Sequence, residues 1–188
     1  MSTTDVVMRV REALKEILVR RQDVIMLAAR PKSKFEHWLK FELGVALSAA
    51  PGIQNLKLEE PFPRSSERSD LSLEVNGSKW YVELKTANTN WQAQGVEEKT
   101  RPITKNISSI ISDIEKLRTK CLSSSGIAAF VLFPVPTRIW KHEPEKLLYH
   151  LQRIEDACKI TKGTLLEEAE FIVLDPEFGI ALFVVQVI

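Results

Sequence analysis

The stretch that decides the fold is Asp70-Leu-Ser-Leu-Glu-Val-Asn-Gly-Ser-Lys-Trp-Tyr-Val-Glu-Leu-Lys85. Asn-Gly between two alternating segments is the strongest short-range signal for a β-hairpin, because both turn positions need a positive φ. A two-residue turn at Asn76-Gly77 fixes the register. Val75 then lies opposite Ser78, Glu74 opposite Lys79, Leu73 opposite Trp80, Leu71 opposite Val82, and Asp70 opposite Glu83. Side chains alternate across a strand, so Leu71, Leu73, Val75, Trp80, Val82 and Leu84 share one face. Asp70, Glu83 and Lys85 share the other. Two carboxylates directly opposite each other repel. A divalent cation between them would remove the repulsion and supply Lewis-acid chemistry.

Upstream, apolar residues from Val6 to Ala28 recur at helical spacing, which predicts a helix over residues 4–29 that Pro31 ends. A second helix is expected over 34–50, stopped by Pro51-Gly52, and a strand over 55–60. Residues 61–68 are a loop rich in breakers. Downstream, residues 87–102 read as a long polar loop, which beside a candidate site is often functional. Ile107, Ile110, Ile111, Ile114 and Leu117 form the stripe of a helix over 104–122. Residues 127–134 are continuously apolar and read as a buried central strand. A helix over 144–160 and a closing hairpin, 171–174 with 180–187, complete the chain. The expected class is α/β, one domain with a mixed central sheet flanked by helices. From the second helix to strand 127–134 the order is αβββαβ.

Asp70, with Glu83-Leu84-Lys85 on the next strand of a hairpin, resembles the core motif of the PD-(D/E)xK nuclease superfamily, and αβββαβ is also that superfamily's common core. The resemblance covers about residues 33–134, between the helix at 4–29 and an extension at 143–188. Ser69 stands where the family pattern has proline. The resemblance implies a restriction-endonuclease-like fold and metal-dependent hydrolysis of phosphodiester bonds in nucleic acid, DNA ahead of RNA. Asp70 and Glu83 would then be ligands of Mg²⁺, with Mn²⁺ as a substitute, and the Leu84 carbonyl would be a further ligand. Lys85 would sit beside the attacking water, positioning it or stabilising charge on the phosphate.

Members of the superfamily often carry a glutamate on the helix before the hairpin. On a helical wheel starting at Phe35, the apolar stripe is Phe35, Trp38, Leu39, Val45, Ala46 and Ala49, with Glu42 near its middle. An acid on a core-facing stripe is costly unless something neutralises it. Glu36 lies at the edge of the stripe, and Ser33-x-x-Glu36 reads as a capping box. Glu42 is therefore favoured over Glu36 as the helix carboxylate.

Each of these residues also has a plainer reading. Asp70 alone could be a strand-entry residue, and Glu83 with Lys85 a surface ion pair. On a central strand, however, charged side chains need partners. Net charge is +1, so no global polycation signal exists, although residues 1–120 carry 20 Lys+Arg against 16 Asp+Glu. Lys99, Arg101 and Lys105 could meet phosphates, and Trp91, Gln92 and Gln94 could contact bases. His37, His142 and His150 share no spacing that suggests zinc. Cys121 and Cys158 are isolated, as in a reduced intracellular protein. The start of the chain lacks a signal-peptide core, and no apolar run approaches the roughly 18 residues of a membrane span, so a cytoplasmic location is expected. A homodimer, with the first helix at its interface, is expected for an enzyme of this size that cuts both strands. The main alternative is a catalytically silent module of the same fold that binds nucleic acid or a protein.

Overall fold

The computed structural model of the chain describes residues 3–97, 102–121 and 124–187. Its centre is a six-stranded mixed sheet with helices on both faces. The helices before the hairpin are α1 (Thr3–Arg20), α2 (Gln22–Ala29) and α3 (Glu36–Ser48). The first three strands are β1 (Gln54–Leu58), β2 (Leu71–Val75) and β3 (Ser78–Asn88). Helix α4 (Ile103–Lys120) leads to β4 (Ser125–Pro136). Helices α5 (Thr137–His142), α6 (Pro144–Cys158) and α7 (Thr164–Glu167) precede the closing strands β5 (Glu170–Asp175) and β6 (Phe178–Val187). The strand order is β1-β2-β3-β4-β6-β5, with β3 and β4 parallel and every other pair antiparallel.

The hairpin forms in the expected register, from Val75 opposite Ser78 to Leu71 opposite Val82. Asn76 and Gly77 have φ of 53° and 75°, the turn conformation that this dipeptide favours. The alternation holds throughout the centre. Leu71, Leu73, Val75, Trp80, Val82 and Leu84 pack with α1, α2 and α3 on one face. Tyr81 and Ala87 pack with α4 and α6 on the other. Strand β4 is buried on both faces, which explains its unbroken apolar run: Ile127, Ala129, Val131 and Phe133 face one layer, Ala128, Phe130 and Leu132 the other.

Three expectations need correction. The ladder between β2 and β3 ends at Leu71, so Asp70 does not pair across it with Glu83. The predicted first helix is two helices, broken at Arg21, whose guanidinium lies 5.9 Å from the centre of the Trp38 ring. The apolar stripe of that helix (Val6, Val10, Leu14, Ile17, Leu18) is buried in the core. Helix α3 is also rotated from the wheel. It buries Leu39, Lys40, Leu43, Gly44 and Leu47 and leaves Val45 exposed. The buried face follows Leu39, Leu43 and Leu47 at i,i+4 spacing, two of which the stripe omits, and Gly44 lies on the same face. A Cβ there would stand 3.3 Å from Leu58 Cδ2, so the missing side chain lets α3 approach β1 on that side. The short helices α5 and α7 carry too little periodicity to be read from sequence. Among the described residues, no helix is long and apolar enough to cross a membrane.

Candidate functional site

The site is built on an open edge. Strand β3 runs to Asn88, but β2 covers it only as far as Val82. Beyond that point, β3 exposes backbone N–H groups that would otherwise bond a neighbouring strand, and such groups need partners. Two carboxylates supply them. Asp70 Oδ2 accepts from the Leu84 N–H at 2.8 Å, and Glu36 Oε2 accepts from the Thr86 N–H at 3.0 Å. N–H and C=O of one strand residue point the same way, so the Leu84 carbonyl faces this edge too. Asp70 itself is held by the loop 59–70. Its carbonyl accepts from the Glu59 N–H, and the Ser69 N–H donates to the Glu60 carbonyl. Glu60 ties that loop to the sheet through Lys79 at 2.8 Å, Lys57 at 3.2 Å and Ser72.

Glu83 and Lys85 point from β3 toward α4, and α4 meets both. Lys116 Nζ lies 2.6 Å from Glu83 Oε1. Asp113 Oδ2 lies 3.1 Å from Lys85 Nζ, and Glu36 Oε1 is 3.6 Å from the same nitrogen. On the other side, buried Lys40 pairs with Glu59 and reaches Asp70 Oδ1 at 3.4 Å. Five carboxylates (Glu36, Glu59, Asp70, Glu83, Asp113) thus interleave with three lysines (Lys40, Lys85, Lys116). The formal surplus is negative, which suits a cation.

The structure therefore brings Asp70, Glu83, Leu84 and Lys85 together. It does not bring Glu42, which stands about 120° round α3 from Glu36 and enters none of these ion pairs. Glu36 holds the place expected for the helix carboxylate. Its capping reading fails because the residue before α3 is Phe35, with no side-chain cap. Lys40, Glu59, Asp113 and Lys116 escaped sequence reasoning. The one available signal was on α4, where Asp113 and Lys116 flank the stripe of Ile110, Ile114 and Leu117 at i,i+3 spacing. Trp91 packs toward His150, with ring centres 6.3 Å apart, rather than into the cluster. Gln92 and Gln94 line a separate cleft of about 480 Å³ with Arg138 and Glu177. Lys105 is exposed in the first turn of α4. Lys99 and Arg101 lie outside the described residues. Comparison with models of known families, with curated proteins and with solved structures finds no match.

Among the described residues, no three His, Cys, Asp or Glu side chains converge closely enough to hold a metal ion. The lysines stand between the acids. The donor set nonetheless fits a hard dication: carboxylates and a strand carbonyl are the oxygen ligands that Mg²⁺ takes. Glu83 shows the tension directly. Burial pushes its pKa up to about 8; Lys116 opposes the rise, while Asp70 and Asp113 add to it. Burial opposes the charge of Lys85, yet Asp113 and Glu36 beside it hold its pKa above the ordinary lysine value.

A pH dependence follows. The folded chain keeps the Glu83 proton up to about 8, whereas an unfolded one releases it near 4.5. Between these values the unfolded state binds fewer protons, so stability falls as pH rises. The contribution is complete below the lower value and is lost as pH rises through the upper one. Urea unfolding of the metal-free protein at pH 5 and pH 8.5 should show this decline, and Glu83→Gln should flatten it. Equal slopes for the two proteins would rule it out.

Proposed function

We propose that the chain is a metal-dependent nuclease of the restriction-endonuclease-like fold, hydrolysing phosphodiester bonds in nucleic acid, with DNA the first substrate to test. The reading rests on one observation: Asp70 and Glu36 bond the open edge of a central strand, with the Leu84 carbonyl facing that edge, and Glu83 and Lys85 stand beside them on the same strand, Lys85 within ion-pair reach of Glu36. Asp70, Glu83 and the Leu84 carbonyl would hold the metal, with Glu36 as the helix carboxylate. A bound Mg²⁺ would act as a Lewis acid on the scissile phosphate and lower the pKa of a coordinated water.

The remaining roles belong to the chain. Asp70 fixes the edge of β3 through Leu84, and Glu36 fixes it through Thr86 while also orienting Lys85. Because its raised pKa keeps Lys85 protonated at neutral pH, it serves as a positive charge toward phosphate and attacking water, not as a base. Asp113 holds that ammonium from α4. The interleaved lysines favour a second reading, a silent module in which they replace the metal for good. Incubating labelled single- and double-stranded DNA and RNA with Mg²⁺ or Mn²⁺ separates the two. Cleavage supports the enzyme; binding without cleavage supports the module.

The two helix glutamates give a sharper test. Glu36→Gln should lower cleavage by about 10–100-fold, the usual range for a group that orients a metal site's contents. Glu42→Gln should leave the rate within about two-fold, as surface changes away from a site do. A reversed order would put Glu42 at the site and overturn the assignment.

A further inference from the structure

Glu83 is 5% exposed, and the cation beside it is the ammonium of Lys116, from the neighbouring helix α4. A buried carboxylate needs a compensating charge, and here the chain provides one of its own. Two lysines of the cluster differ in freedom. The side chain of Lys40 is 7% exposed and locked between Glu59 and Asp70, whereas that of Lys116 is 24% exposed. Lys116 also has other places to go. Its Nζ is 3.4 Å from the Arg68 carbonyl, 4.0 Å from Asp113 Oδ1 one turn back, and 5.6 Å from the centre of the Phe62 ring. A small shift along α4 would leave Glu83 bare while keeping the ammonium partnered.

We infer that Lys116 is an internal competitor for the cation position at Glu83, displaced toward Asp113 and the Arg68 carbonyl when a divalent metal binds. The inference rests on the metal-site reading above and adds regulation to it. A competitor of this kind reduces apparent metal affinity by the fraction of time the carboxylate is free. It also explains why the acids are not drawn together: Glu83 is already engaged by Lys116. The enzyme would stay closed to metal until the free-metal concentration is high enough to displace an ion pair.

The test titrates the metal-free protein with Mn²⁺ at pH 8.5, where Glu83 has lost its proton, followed by calorimetry or electron paramagnetic resonance, with no substrate present. Lys116→Met should bind Mn²⁺ about ten-fold more tightly than wild type, if the free state is populated about a tenth of the time. Lys116→Arg should stay within about two-fold of wild type, and Glu83→Gln should lose the site. Binding that Glu83→Gln abolishes but Lys116→Met leaves unchanged or weakened overturns this inference and spares the metal site. Absent binding in both wild type and Lys116→Met, or binding indifferent to Glu83→Gln, overturns both. Should Lys116→Met fail to fold, acylation of wild-type Lys116 by an amine reagent, read by mass spectrometry, decides. Mn²⁺ should raise its rate; an unchanged or lower rate overturns the inference.

Discussion

Replacing Lys85 by alanine is expected to lower Mg²⁺-dependent cleavage by about 10²–10³-fold, the cost typical of removing one preorganised charge aimed at a transition state. Asp113 and Glu36 hold Lys85 in place before any substrate arrives. Its charge should matter most when negative charge builds on the phosphate. The loss should therefore fall on kcat, with KM little changed. Metal binding should survive, because Lys85 neutralises two carboxylates rather than supplying a ligand. A labelled pool of single- and double-stranded DNA and RNA, cut by wild type and left intact by the variant, would establish the activity and name its substrate. Equal cutting by both proteins would remove Lys85 from the mechanism. Cutting by neither would favour the silent module.

The second large effect is structural and lies far from the cluster. Glu155 of α6 has no solvent exposure at all. Its carboxylate accepts from the Gly163 N–H at 3.0 Å and the Leu165 N–H at 2.9 Å, so it closes the turn between α6 and α7. Glu155→Ala would strand two donors, the Leu165 N–H in a buried place and the Gly163 N–H in a half-buried one. Each unsatisfied group costs about 1–3 kcal/mol, so a loss of about 3 kcal/mol is expected. For a chain of this size that lowers Tm by roughly 6–12 °C. Glu155→Gln, which keeps an acceptor, should lose less. Thermal unfolding of the three proteins checks this; a drop under about 2 °C for the alanine variant would mean that the carboxylate is dispensable.

How much of this was legible in the sequence depended on range. The hairpin was readable because its signals are local: an Asn-Gly turn and strict alternation on either side. Asp70, Glu83 and Lys85 were readable for the same reason, since the register carries them. Even so, local register failed at the edge of the site. Asp70 leaves the ladder one residue early, because its carboxylate serves the Leu84 N–H instead of facing Glu83. The capping pattern that explains Glu36 is one α3 does not use, and the stripe that favours Glu42 leaves out Leu43 and Leu47, which set the buried face. Lys40, Glu59, Asp113 and Lys116 meet the site only through the packing of α3, the 59–70 loop and α4 against the sheet. No spacing along one element encodes that meeting.

The uncovered length of β3 has a meaning for assembly as well. A strand edge with free N–H and C=O groups is a template on which another strand can add, whether from a second copy or from a passing peptide. Asp70 and Glu36 occupy two of those donors and place negative charge along the edge, so an incoming backbone meets carbonyl-repelling oxygens where it needs hydrogen-bond donors. The same two residues thus act as guards against unwanted strand addition, independently of any chemistry they perform.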